Sequence, residues 1–322
     1  MIFSRIGGTG RYLPERVLTN ADMEKIVDTT DAWIRARTGI EERHVATDDE
    51  KTSDLCVQAA KIAMADAGVD PQDIDLIVIG TTSPDLLFPN VATIVQHKMG
   101  IPACAAFSLE TACSGFIYAI STADKFIRAG DTKCALVIGA EIISRLIDWK
   151  DRNTCVLFGD GAGAVILQPS EEQGIMSTHL GADGQYKDLL YYPVGVSNNL
   201  AAAGVGDSRI MMAGNEVFKV AVKTLASIAQ TALDANNMTL DDVDWLIPHQ
   251  ANLRIIQAAA KRIGMPMEKV IQTVQIHGNT SAASVPLALD VGIRDGRIKR
   301  GQTLLLEAFG GGFTWGSVLL RY

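Results

Sequence analysis

The sequence is poor in cysteine and lacks the patterns that give cysteine a structural job. Five thiols, at 56, 104, 113, 134 and 155, are an odd number spread over 322 residues, and none forms a C-x-x-C pair. Neither a disulfide framework nor a zinc site is indicated, and no metal or cofactor is expected. No apolar run approaches the ~20 residues that a membrane span needs. "MIFSRIGGTG" reaches glycine too soon for a signal peptide, so a cytoplasmic protein without membrane attachment is expected. A basic balance is missing too: 29 Lys and Arg against 37 Asp and Glu leave −8. Nucleic acid is therefore not an expected partner, and an acidic protein partner would need a local basic patch. Neither "GGTGRY" nor "FGDGAGAV" completes G-x-G-x-x-G with a following acidic residue, and the first runs into Pro14, which disfavours a nucleotide-dependent oxidoreductase.

What is present is a chain 48% hydrophobic and 20% charged, enough for one large core or two fused ones. It repeats itself. "GVDPQDIDLIVIG" (68–80) matches "NMTLDDVDWLIPH" (237–249), "IRAGDTKCALVIG" (127–139) matches "IKRGQTLLLEAFG" (298–310), and "FGDGAGAVIL" resembles "FTWGSVLLRY". Matches in one order at nearly one offset indicate a duplication, divided as 1–172 and 173–322. Helices are expected near 53–67, 113–129, 215–236, 252–263 and 281–295. Strands are expected near 75–81, 134–140, 162–168, 244–248, 303–308 and 314–321. Strands apolar throughout are buried on both faces, which implies layered α/β architecture. The stretch 192–210, rich in Gly, Ala and Asn, is expected to be a mobile loop.

Cys113, in "SLETACSGFIYAI", heads a helical pattern. Unpaired N–H groups and the positive dipole end there favour thiolate. The repeat maps it onto Ala283, so small residues suit both places and only the first carries sulfur. From position alone it reads equally as nucleophile or as small core residue. Cys56, Cys104 and Cys134 have the neighbours of buried thiols, while Cys155 is undecided. His249 ends the strand "DWLIPH", and Asn279 lies in the loop before the Cys113-equivalent helix. Both reach the end of the sheet where α/β proteins collect function.

Four stretches then carry a specific likeness. "ACSGF", "IPHQANLRII", "HGNTSAASVPLAL" and "LLLEAFGGGFTWGS" resemble the signatures of the β-ketoacyl-acyl-carrier-protein synthase III family, condensing enzymes that start bacterial fatty-acid synthesis, and the likeness spans essentially the whole chain. It implies the thiolase fold, two five-stranded βαβαβαββ halves in five α/β/α/β/α layers, usually a homodimer. It also implies a catalytic set of Cys113, His249 and Asn279. Cys113 would take an acyl group from acyl-CoA as a thioester, and malonyl-ACP would then lose CO2 and attack it. His249 and Asn279 would donate to the enolate, and the N–H groups of Cys113 and Gly311 would form the oxyanion hole. Ala308 stands where Claisen thiolases of this fold carry a second cysteine. A plant-type polyketide or secondary-metabolite ketosynthase is the nearest enzymatic alternative, and a non-catalytic scaffold of the same fold would not need the Cys, His and Asn that are all present.

The likeness also implies substrate contacts. CoA would meet Thr29, Trp33, Arg37 and Arg152, with the adenine between Trp33 and Arg152, while Asn252 would touch the pantetheine arm. Trp149 and Lys150 beside Arg152 depart from the pattern. Lys219 and Lys223, one turn apart, and Arg254, Lys261 and Arg262 form basic stripes. These answer the need for a patch that binds acyl carrier protein, with Gln250 of the same motif beside them. Phe88 would close the acyl pocket of the other subunit, and its bulk points to a short primer such as acetyl-CoA.

Overall fold

The computed structural model describes residues 2–195, 197 and 209–322. The first part of the chain runs β1 (Phe3–Tyr12), β2 (Val17–Thr19), α1 (Asn20–Met23), α2 (Asp31–Thr38), β3 (Glu42–His44), α3 (Thr52–Ala67), β4 (Leu76–Gly80), α4 (Val91–Met99), β5 (Ala105–Leu109), α5 (Gly115–Ala129), β6 (Ala135–Glu141) and β7 (Gly161–Ser170). The second runs β8 (Ile175–Ala182), β9 (Leu190–Tyr191), β10 (Met211–Met212), α6 (Gly214–Ala235), β11 (Trp245–Pro248), α7 (Leu253–Ile263), α8 (Val274–His277), α9 (Ser284–Arg294), β12 (Thr303–Gly310) and β13 (Thr314–Arg321). Most of the expected mobile loop, 196 and 198–208, lies outside the described residues.

Two sheets carry the fold. The first is ordered β1-β7-β6-β4-β5 and the second β8-β13-β12-β11. In each, two antiparallel pairings come first, followed by two parallel pairings in the first sheet and one in the second. The halves therefore superpose in connectivity, with one departure from the expected five strands apiece. Where β5 lies beside β4, the described residues of the second half keep only an isolated parallel bridge between Val270 and Leu246. The segment that follows turns at once into α8.

Strand alternation explains the layering. In β4, Leu76 and Val78 enter the central core while Ile77 and Ile79 enter the outer one, because successive side chains point to opposite faces. β12 does the same: Leu304 and Leu306 face the centre, whereas Leu305 and Phe309 face α6 and α7. Helices α5 and α9 fill the space between the sheets, α3 covers the first sheet's outer face and α6 the second's. On α5, Phe116, Ile117, Ile120 and Ile127 are all fully buried, each worth about 1.5–3 kcal/mol of burial.

Both central helices begin alike. A 3-10 turn at Ala112–Ser114 precedes α5, and one at Ser281–Ala283 precedes α9. Each opens on a residue of positive φ, Ala112 at 46° and Ser281 at 49°. These landmarks align Cys113 with Ala282, which corrects the expected twin, Ala283, by one residue.

Candidate active site

Close backbone approach assembles the site. Gly139 of β6 lies against the second half's turn so tightly that a Cβ there would fall 2.2 Å from Ala282 O. Gly310, at the end of β12, approaches the Cys113 turn equally closely, and its Cβ would lie 2.6 Å from Cys113 N. Only glycine allows either approach. The two turns thus meet at the ends of the sheets, beside a cavity of about 1050 Å³ lined by Cys113, His249, Asn279, Ser281 and Gly311.

The thiol differs from the sequence expectation. Burial pushes Cys113 up to about 12, the Ser281 hydrogen bond opposes this, and the Glu141 carboxylate adds to it. A helix N-terminus offers up to about 2 kcal/mol to an anion, whereas three pH units correspond to about 4 kcal/mol. Desolvation wins, and the resting thiol is protonated. The other four thiols are free, with Cys56, Cys134 and Cys155 buried and Cys104 half-buried.

His249 follows β11 directly, and its backbone N–H donates to Glu307 O at 2.8 Å. Its Nδ1 lies 2.6 Å from Ser284 Oγ, which also accepts the Gln250 N–H at 3.2 Å. Donation of the Ser284 proton to Nδ1 satisfies all three groups and leaves Nε2–H as the donor offered to the cavity. Burial holds the imidazole down to about 3, so it is neutral. Asn279 is gripped by the first half, donating its N–H to Leu157 O at 2.8 Å and accepting Gly159 N–H at 3.0 Å. Its Oδ1 takes the Ser281 N–H at 2.9 Å, which leaves the carboxamide NH2 as its free function.

At the cavity mouth, Trp33 on α2 is flanked by both expected arginines, with Arg37 and Arg152 at 4.7 and 5.1 Å from its ring centroid. Thr29 Oγ1 is buried without a hydrogen-bond partner among the described residues. Asn252 lines the cavity and caps α7, its Oδ1 accepting Ile255 N–H at 2.9 Å. Lys219, Lys223, Arg254, Lys261 and Arg262 are exposed on the adjoining helices α6 and α7. Lys219 pairs with Glu216 at 2.8 Å, and Arg254 lies over the Phe218 ring.

One expectation changes. Gln250 is fully buried, donating to Pro248 O and Ile271 O and accepting from Thr273 and Val274 N–H. It cannot reach a carrier protein, and it acts as a brace for the His249 strand end. Phe88 is 85% exposed and Leu87, not Phe88, lines this chain's own cavity. Sequence reasoning also missed Ser281, Ser284 and Glu141. The last left a trace: a lone carboxylate ends the otherwise apolar run "CALVIGAE".

Family models for the 3-oxoacyl-[acyl-carrier-protein] synthase III domain and its C-terminal counterpart match residues 107–184 and 233–322. The chain belongs to this family. A β-ketoacyl-[acyl-carrier-protein] synthase III from Xanthomonas campestris pv. campestris is 61% identical over 100% of this chain and 99% of its own. One from Thioalkalivibrio sulfidiphilus is 58% identical over 100% of both. The crystal structure of the synthase III from Aquifex aeolicus VF5 is 46% identical, with a TM-score of 0.93, and the match covers 99% of this chain and 100% of that one. These likenesses establish the thiolase fold and a condensing acyltransferase of fatty-acid synthesis, and they do not favour the polyketide alternative. No helix among the described residues is long and apolar enough to cross a membrane. No group of three His, Cys, Asp or Glu among the described residues is placed to hold a metal ion.

Proposed function

We propose that the chain opens fatty-acid synthesis in the cytoplasm by condensing a short acyl-CoA, acetyl-CoA foremost, with malonyl-ACP to give 3-oxoacyl-ACP, CoA and CO2. The observation that carries this reading is the convergence of Cys113 from the first half, 1–172, with His249 and Asn279 from the second, 173–322, on one cavity. Cys113 Sγ attacks the acyl-CoA carbonyl and holds the acyl group as a thioester while CoA leaves. The tetrahedral oxyanion is met by the backbone N–H groups of Cys113 and Gly311. Malonyl-ACP then loses CO2, and its developing enolate oxygen takes hydrogen bonds from His249 Nε2–H and the Asn279 amide. A neutral imidazole suits that task, since a cation there would hold the carboxylate in place. Acyl-CoA and malonyl-ACP are the substrates, and no cofactor enters.

The adenine of CoA enters the Trp33 clamp, replacing one guanidinium at the ring, with Thr29, Arg37 and Arg152 around it and the Asn252 NH2 on the pantetheine arm. Lys219, Lys223, Arg254, Lys261 and Arg262 receive the acidic carrier protein. The apolar tip Leu86, Leu87 and Phe88, exposed in the single chain, supports a homodimer in which Phe88 closes the partner's acyl pocket and limits primer length. Intact-protein mass spectrometry after incubation with acetyl-CoA tests the core of this reading. The protein gains one acetyl group and Cys113→Ala gains none, whereas acetylation of the variant refutes the assignment.

A further inference from the structure

A protonated nucleophile must send its proton somewhere. His249 is poorly placed to take it, because the Ser284 hydroxyl commits Nδ1 and leaves Nε2–H facing the cavity. An acceptor lies behind the thiol instead. Ser281 Oγ is 3.4 Å from Cys113 Sγ and 3.1 Å from Glu141 Oε1. One hydroxyl carries one proton. With Glu141 ionised, Ser281 donates to the carboxylate and accepts from the thiol, a chain running S–H to O–H to carboxylate.

Glu141 is built into this place. It is fully buried at the end of β6 and accepts from the Thr82 N–H at 3.1 Å, the Thr82 hydroxyl at 3.0 Å, the Thr81 hydroxyl at 3.3 Å and the Ser83 hydroxyl at 2.6 Å. The titratable groups whose electrostatic interaction with it is resolved are the thiols of Cys113 and Cys56, and no ion pair among the described residues includes it. A carboxylate so well furnished with donors and so lacking a cation is stabilised in place without being neutralised.

We propose that Glu141, acting through Ser281, receives the Cys113 proton during acyl transfer and returns it to the departing CoA sulfur. This rests on Cys113 being the nucleophile. The Cys113 S–H bond breaks as its proton passes to Ser281 Oγ and the Ser281 proton passes to Glu141. The sulfur's electron pair forms the new bond to the acyl carbon. The bond from that carbon to the CoA sulfur breaks, the sulfur keeps the pair, Ser281 protonates it, and Glu141 restores the Ser281 proton. The balance is Cys–SH plus acyl-S-CoA to Cys–S-acyl plus CoA–SH. The transfer moves an already buried negative charge from oxygen to sulfur rather than creating a second one. It also removes the repulsion that Glu141 exerts on the thiolate.

Burial lifts Glu141 to about 7, with the Ser83, Thr82 and Ser281 hydrogen bonds opposing it. Acylation needs the ionised form, so its rate should fall as pH drops through about 7. Single-turnover acylation by acetyl-CoA, read by quench-flow and intact mass across this range, is the test. Glu141→Gln keeps the shape but cannot take a proton, so it should acylate about 100-fold more slowly at alkaline pH and lose the inflection. Glu141→Asp should recover an inflection, and Ser281→Ala should behave as Glu141→Gln does. Once fully acylated by long incubation, Glu141→Gln should decarboxylate malonyl-ACP at the wild-type rate. Wild-type acylation with an unchanged pH profile in both Glu141→Gln and Ser281→Ala overturns the relay. So does equal slowing of both half-reactions with the inflection retained, which marks a structural role. Acetylation of Cys113→Ala would instead overturn the underlying assignment of the nucleophile.

Discussion

Replacement of Glu307 by Gln should stabilise the protein, increasingly so as pH rises. Glu307 sits mid-strand in β12, fully buried, and neither carboxyl oxygen has a hydrogen-bond partner among the described residues. Its neighbours along the strand place it on the face that Leu305 and Phe309 present to α6 and α7, away from the central core. Burial alone raises it from 4.5 to about 8. The folded state therefore keeps this proton over a range where the unfolded chain has released it. The resulting loss of stability begins above 4.5, grows by about 1.4 kcal/mol per pH unit, and levels off above about 8. Gln has the same shape and never ionises. The stability difference between Glu307→Gln and wild type should therefore rise from about 2 kcal/mol near pH 6 to about 5 kcal/mol near pH 9. Chemical denaturation of both proteins across that range measures it, and subtraction removes the contributions of groups common to both. A difference that stays flat with pH would refute the reasoning, since it would mean that the carboxyl has the same affinity for its proton folded and unfolded.

Further predictions concern the site. Ser284→Ala removes the partner of both His249 Nδ1 and Gln250 N–H, so it should cost about 1–3 kcal/mol of stability. It should also slow malonyl-ACP decarboxylation by at least about 10-fold while leaving Cys113 acylation intact, as separate assays of the two half-reactions would show. Gly310→Ala places a Cβ 2.6 Å from Cys113 N. The displaced turn should lower the acylation rate by about 100-fold, measurable in single-turnover experiments. Trp33→Ala removes the stacking surface and should weaken CoA binding by about 10-fold, read by calorimetry, with little effect on decarboxylation by the acylated enzyme.

Local pattern was enough to reveal the duplication and the buried strands, and it set His249 at a strand end and Cys113 at the head of a helix, while their meeting with Asn279 on one cavity is a matter of tertiary structure. The local features depend on residue type and short-range order: apolar runs mark strands buried on both faces, and a histidine after such a run stands at a strand end. The boundaries of β4, β6, β11 and β13 lie within a few residues of expectation for that reason. Gln250 shows where such reasoning stops. Its motif places it next to His249, yet its direction is set by carbonyls of Pro248 and Ile271 and by N–H groups of Thr273 and Val274. The fifth strand of the second sheet, absent among the described residues, is another case, since the chain enters α8 within a few residues of Val270 rather than pairing further.

The sequence by itself determined the family, the layered α/β plan and the chemical types that meet at the site, because these reside in motifs and in periodicity. Tertiary structure decided the ionisation and the wiring. Cys113 stands at the head of a helical segment that favours thiolate, but enclosure by both halves outweighs that end effect and holds the proton on sulfur. Glu141 and Ser281 are 140 residues apart in the chain and 3.1 Å apart in space, brought together by Gly139 where no side chain would fit. Desolvation and long-range hydrogen bonds belong to whatever surrounds a group, and Cys113 and Glu141 of the first half both meet Ser281 of the second.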